Sequence, residues 1–132
     1  MIVVKNSQLN QDTLMVLNKL MDMDINAKLA FKLMKIMKEI SSLVDDKLRL
    51  EKKILDKYME KDQNGDPVLA QDESGNLIPG SVKVADAESF NKSMYDLMNL
   101  ENEVGYDKID FEELNLETIK VKELMQIEFL FN

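Results

Sequence analysis

The chain has 132 residues, 45% of them apolar and 32% charged, a size and balance that suit one folded domain and exclude disorder along its whole length. It contains no cysteine and no histidine, so disulfides, thiol nucleophiles and thiolate zinc sites are excluded, and any metal chemistry would fall to Asp and Glu with magnesium or manganese. The net charge of −8 is lopsided: residues 1–61 carry 12 basic against 9 acidic side chains and residues 62–132 carry 5 against 16, an acidic second half that disfavours nucleic acid.

Met1 to Lys5 is short and β-branched, an expected edge strand. Leu9, Leu14, Leu17, Leu20 and Met21 recur at helical spacing behind Asn10 or Asp12, either of which suits the helix cap. The pattern breaks over residues 21–26, and Asn26 is placed to cap a second, much longer helix. Counted from Ala27, one row of that helix reads Ala27, Met34, Ser41, Leu48, Leu55 and another Ala30, Met37, Val44, Glu51, Tyr58, a seven-residue rhythm running to Lys61. Such a helix would extend about 52 Å if unbroken. Its opening, residues 27–37, is apolar on nearly every side and belongs inside a domain, packed by the preceding helix and by C-terminal elements. Methionines 21, 23, 34, 37, 94 and 98 read as core filling, with an adaptable binding groove as the alternative. After Ser41 the stripe narrows between charged flanks, the pattern of a helix that pairs with one partner. Val44, Leu48, Leu55 and Tyr58 are therefore the expected interaction residues, in a coiled pairing between subunits or against residues 87–101 of the same chain. Lys28, Lys32, Lys35 and Lys38 share a face that reads as solvated or as a contact for acidic protein.

Residues 63–67 form a turn in which Pro67 bars further helix. Val68 to Gln71 and Asn76 to Ile78 flank Asp72-Glu73-Ser74-Gly75 as a β-hairpin, with Pro79-Gly80 ending its return arm and residues 81–84 adding a short extended piece. Asp86 caps the next amphipathic helix, marked by Phe90, Met94, Leu97 and Met98. Residues 102–109 read as extended, and Asp110 with Glu113 fits a capping box opening one turn that stops at Asn115. A last helix is expected over about residues 117–129. The expected fold is mainly α with a small β component: one long helix packed by shorter helices, with a β-hairpin insertion. The chain reads as a single domain over 1–132, divided into 1–61, 62–85 and 86–132.

Asp62, Asn64, Asp66 and Glu73 hold the oxygen-ligand spacing of a calcium loop, but Pro67 stands where that loop needs glycine, so a plain acidic turn is the expected reading. Neighbouring carboxylates such as Asp45/Asp46 and Glu112/Glu113 do not share a face, and no phosphate loop or nucleophile elbow occurs. No enzyme activity, no cofactor and no metal are expected. The opening lacks a signal segment and no run approaches the length of a membrane span, so the expectation is a soluble intracellular protein without membrane contact.

Three stretches carry a resemblance: Lys5-Asn6-Ser7-Gln8-Leu9 followed by Val16-Leu17-Asn18-Lys19-Leu20, the run Ala27-Lys28-Leu29-Ala30-Phe31-Lys32-Leu33, and Leu55-Asp56-Lys57-Tyr58 with Lys61-Asp62-Gln63-Asn64-Gly65. Phe90-Asn91-Lys92 leads on to the acidic-leucine part Ile109-Asp110-Phe111-Glu112-Glu113-Leu114. Together they resemble a family of small proteins of tailed phages and prophages of Gram-positive bacteria. The resemblance implies a phage origin, in virion or host cytoplasm, and transfers no site residue. The function expected is non-catalytic, through protein–protein contacts in virion assembly or structure, in a homo-oligomer or with another phage structural protein. The alternatives are an acidic inhibitor or adaptor of a host protein and, more remotely, a carboxylate-metal hydrolase.

Overall fold

In the computed structural model, which describes residues 1–132, the β-branched opening of the chain becomes strand β1 (Ile2–Lys5), with Ile2 and Val4 buried and Val3 and Lys5 exposed. Helix α1 (Gln11–Met21) opens on Asn10, whose side-chain oxygen accepts the Thr13 amide at 2.9 Å. Asn26 does the same for the long helix α2 (Ala27–Tyr58), accepting the Leu29 amide at 2.8 Å. Strands β2 (Leu69–Gln71) and β3 (Leu77–Val82) form the hairpin, α3 (Ala87–Met98) follows, strand β4 (Glu101–Val104) pairs antiparallel with β1, and α4 (Val121–Ile127) closes the order. The fold is mainly α with two small antiparallel sheets, and α2 is one unbroken element of 32 residues.

Two compact units divide the chain: residues 1–46 with 98–132, and residues 47–97. The single-domain reading placed its internal divisions after Lys61 and Ala85, whereas the units change within α2 and at the end of α3. The first unit holds an enclosed core of Ile2, Val4, Leu17, Ile36, Ile40 and Leu130, with Ile109, Ile127 and others around them. Each such side chain contributes roughly 1.5–3 kcal/mol by leaving water. α1 packs on α4, where the Thr13 hydroxyl bonds Gln126 at 2.9 Å and Lys19 pairs with Glu123 at 3.0 Å. The C-terminus is tied in by Ile109, which exchanges backbone hydrogen bonds with Leu130 and Asn132, and by the edge-on contact of Phe111 with Phe131.

The second unit is built differently. Its turns are polar: Asp62 accepts the amides of Asn64 and Asp66, and Asp72 accepts those of Ser74 and Asn76, with Gly65 and Gly75 in the left-handed region. Asp62 is thus engaged by the backbone of its own turn. The hairpin return arm does not stop at Pro79-Gly80, as expected, but runs on to Val82. Between the pairs Leu69↔Val82 and Gln71↔Leu77, two steps along β2 face five along β3, and the extra residues include the proline without an amide and Gly80 at φ +78°. An irregularity in the ladder absorbs both. Asp86 caps α3 through the Ser89 amide at 3.1 Å.

Two boundaries near the C-terminus differ from expectation. Asp110 makes no cap bond; its carboxylate instead accepts the Asn132 side-chain amide at 2.6 Å, and the short 3-10 turn Phe111–Leu114 ends at Asn115 in the left-handed conformation. The last helix begins at Val121 rather than near Glu117, behind Lys120, which makes no side-chain cap bond, and it tightens into a 3-10 turn over Glu128–Leu130.

Candidate protein-docking groove

The buried row of α2 is Leu29, Leu33, Ile36 and Ile40, with Leu43 half-buried one turn on. This is a different phase from the expected seam, of which Ala27, Ala30, Met34, Ser41 and Leu48 are exposed and Met37, Val44, Glu51, Leu55 and Tyr58 half-buried. The opening of α2 is apolar almost all round, so two rows fit the seven-residue count. The row that packs inward is the one with no polar interruption between Leu29 and Leu43.

The displaced row has a position of its own. Within the first unit, a trough of about 690 Å³ runs between α1 with its connector and the first half of α2. One wall carries Leu14, Met21, Met23 and Ile25, the other Ala30, Met34, Met37 and Val44, and the buried Leu20, Leu33 and Ile40 lie at its base. Its rims are open: Met21 is 58% exposed and Met34 41%. The polar groups of the lining are Asn18, Ser41 and Lys38, so it holds one cation and no anion. A volume in this range matches a ligand-sized site, and an apolar lining with few polar groups is what such sites present.

Lys38 belongs to an exposed ridge of α2 beside the trough. Helical spacing places Met34, Lys38, Phe31 and Lys35 along it, with Phe31 57% exposed and the Lys35 ammonium 4.5 Å from its ring centroid. Beyond the ridge, Lys28, Lys32 and Lys35 border a second depression of about 390 Å³ with Tyr106 and Asp107. None of the four lysines forms an ion pair. The nearby carboxylate of Glu39 accepts the Gly105 amide at 3.1 Å.

Of the expected interaction residues, Val44 lines the trough in the first unit. Leu48, Leu55 and Tyr58 belong to the second unit, where Leu48 is 56% exposed and the other two are half-buried. Tyr58 meets α3 directly: Phe90 stands edge-on with ring centroids 6.4 Å apart, and the Ser93 hydroxyl donates to the phenol oxygen at 3.4 Å. That hydrogen bond holds the phenol below its usual pKa, against a smaller upward push from desolvation. At this end of α2, Tyr58 is therefore engaged by α3 of the same chain. Of the six methionines read as core filling, Met21, Met23, Met34 and Met37 line the trough, and of these Met23 and Met37 are half-buried against the core.

The carboxylates of the acidic half do not gather in groups of three or more able to hold a metal ion. No helix is long and apolar enough to cross a membrane. Comparison with protein-family models, curated proteins and solved structures finds no match to the chain.

Proposed function

We propose that this protein is non-catalytic and works by holding another protein, in the assembly or structure of a tailed-phage particle. The observation that carries the binding part is the open, methionine-lined trough between α1 and α2, with Met21, Met34 and Phe31 exposed around it. Apolar side chains grouped in a concave, open surface lose water only when a partner covers them. Methionine suits that task, since its flexible thioether arm adapts to the surface it meets. The phage setting rests on the resemblance of the three stretches quoted above, and the place of action is then the virion or the host cytoplasm. The protein is expected to act in a homo-oligomer or beside another structural protein.

The test is fractionation of a lysate in which the gene is expressed with the rest of its phage. Under this reading the protein travels with particles or their assembly intermediates, and Met34→Asp, which alters an exposed trough residue, releases it. Recovery apart from particles, in a fixed ratio with one host protein, would instead support a host inhibitor or adaptor.

A further inference from the structure

We infer that the trough takes an acidic amphipathic helix of another protein. The inference rests on the protein-holding role proposed above and names the chemistry of the partner. Length is the first argument. The α2 wall runs from Ala30 to Val44, 14 residues on, which corresponds to about 21 Å or four helical turns. A second helix laid along it would place apolar side chains at i, i+3 or i+4, and i+7 between Met21 and Met23 on one side and Met34 and Met37 on the other.

Charge is the second argument. The lining contains a cation, Lys38, free of any ion pair, and no carboxylate. In a chain of net charge −8, the one charged group of the trough lining is positive, while Lys28, Lys32 and Lys35 lie on the other flank of α2 with Asp107. A partner helix with Glu or Asp on the flank facing Lys38 gains attraction there, and one with Lys or Arg meets like charge. The open rims are the third argument. Exposed Asn18, Met21 and Ser41 leave the trough uncovered along its length, so an occupant must bring its own solvent-facing side, as an amphipathic helix does.

A second copy of this chain is a poorer fit. Its exposed apolar pairs Leu77 with Ile78 and Val121 with Met125 lie on short elements, and its longer exposed row on α2, Phe31 with Met34, is flanked by Lys35 and Lys38, like charge for Lys38 of the trough.

The experiment uses the full chain and two designed, fluorescently labelled helical peptides of about 18 residues. Both carry leucine at i, i+3, i+4 and i+7; one has Glu at the flanking positions and the other Lys. Anisotropy titration should show saturable binding of the Glu peptide, weakening as salt rises, and at least about tenfold weaker binding of the Lys peptide. Lys38→Glu should weaken the Glu peptide about tenfold and Met34→Asp should abolish its binding, with helix content unchanged because both side chains lie at the surface. Equal binding of the two peptides, or binding of neither, overturns the proposal. So does self-association that Met34→Asp removes, which assigns the trough to a second copy, or displacement of the peptide by a single-chain fatty acid, which assigns it to a lipid. If neither peptide binds but Met34→Asp still frees the protein from particles, the acidic-helix partner is wrong and the assembly role stands. If the Glu peptide binds a protein that never enters particles, the reverse holds.

Discussion

The two units solve the same problem, keeping backbone and apolar side chains out of water, by different means. In residues 1–46 with 98–132, the strands and helices enclose a core in which Ile2, Leu17, Ile36, Ile127 and Leu130 are fully buried. In residues 47–97, Leu97 is the one apolar side chain that is fully covered, and the unit relies on half-buried contacts such as Tyr58 with Phe90 and on aspartate-capped turns. The lesson is that the rigid part and the groove belong together. A docking surface needs fixed walls, and the trough stands on the enclosed core through Leu20, Leu33 and Ile40.

The sharpest way to break this contrast is to cut into each unit. Ile36→Ala should cost about 2–5 kcal/mol in denaturant unfolding, because it opens a cavity in a closed core. Leu55→Ala, at a half-buried site, should cost clearly less, and equal losses would erase the distinction between the units. Hydrogen exchange sharpens it next: amides of the β1–β4 ladder should exchange at least about a hundredfold more slowly than those of β2 and β3, where the register is interrupted. Gly75→Ala forces a side chain into φ +84° and should cost about 1–2 kcal/mol, confined to the hairpin since no atom lies close enough to clash. Asn26→Ala should cost about 1 kcal/mol by freeing the Leu29 amide at the start of α2. Loosening of the β1–β4 ladder by the Gly75 variant would contradict the separation of the units.

The smallest expected effect is one of pH. Hydrogen bonds from the side chain and backbone of Ser89 hold the Asp86 carboxyl below its usual pKa, although the group is exposed. A depressed acid contributes its stability above its unfolded pKa and loses it as pH falls through the lower native value. The first turn of α3 should therefore loosen only below the ordinary carboxylate range, which the chemical shifts of Ser89 and Phe90 would follow; loosening near neutral pH would contradict the cap.

Much of the fold was legible because local chemistry and tertiary packing agree at particular residues. Asn26 and Asp86 read as caps and accept the amides expected of them, and of the two candidates Asn10 and Asp12 it is Asn10 that does so. The short β-branched opening, Met1 to Lys5, reads as a strand, and the Asp-Glu-Ser-Gly turn reads as a hairpin. Two kinds of feature were not legible. Asp110 lost its expected cap role to Asn132, a partner 22 residues away that no local pattern reveals. The phase of α2 was ambiguous where Ala27 to Met37 is apolar all round, and tertiary packing chose the row of Ile36 and Ile40. The groove follows from that choice: Met34, read as interior, is exposed on its wall, and Met37 lines it while half-buried against the core.

The most direct measurement is a methyl spectrum of the full chain, 13C-labelled at its ten methionines, titrated with the acidic helical peptide. The account predicts that the signals of Met21, Met23, Met34 and Met37 move together and saturate, while those of Met59 and Met94 in the second unit stay in place. Saturating shifts at Met59 and Met94 with the four trough methionines unmoved would contradict it.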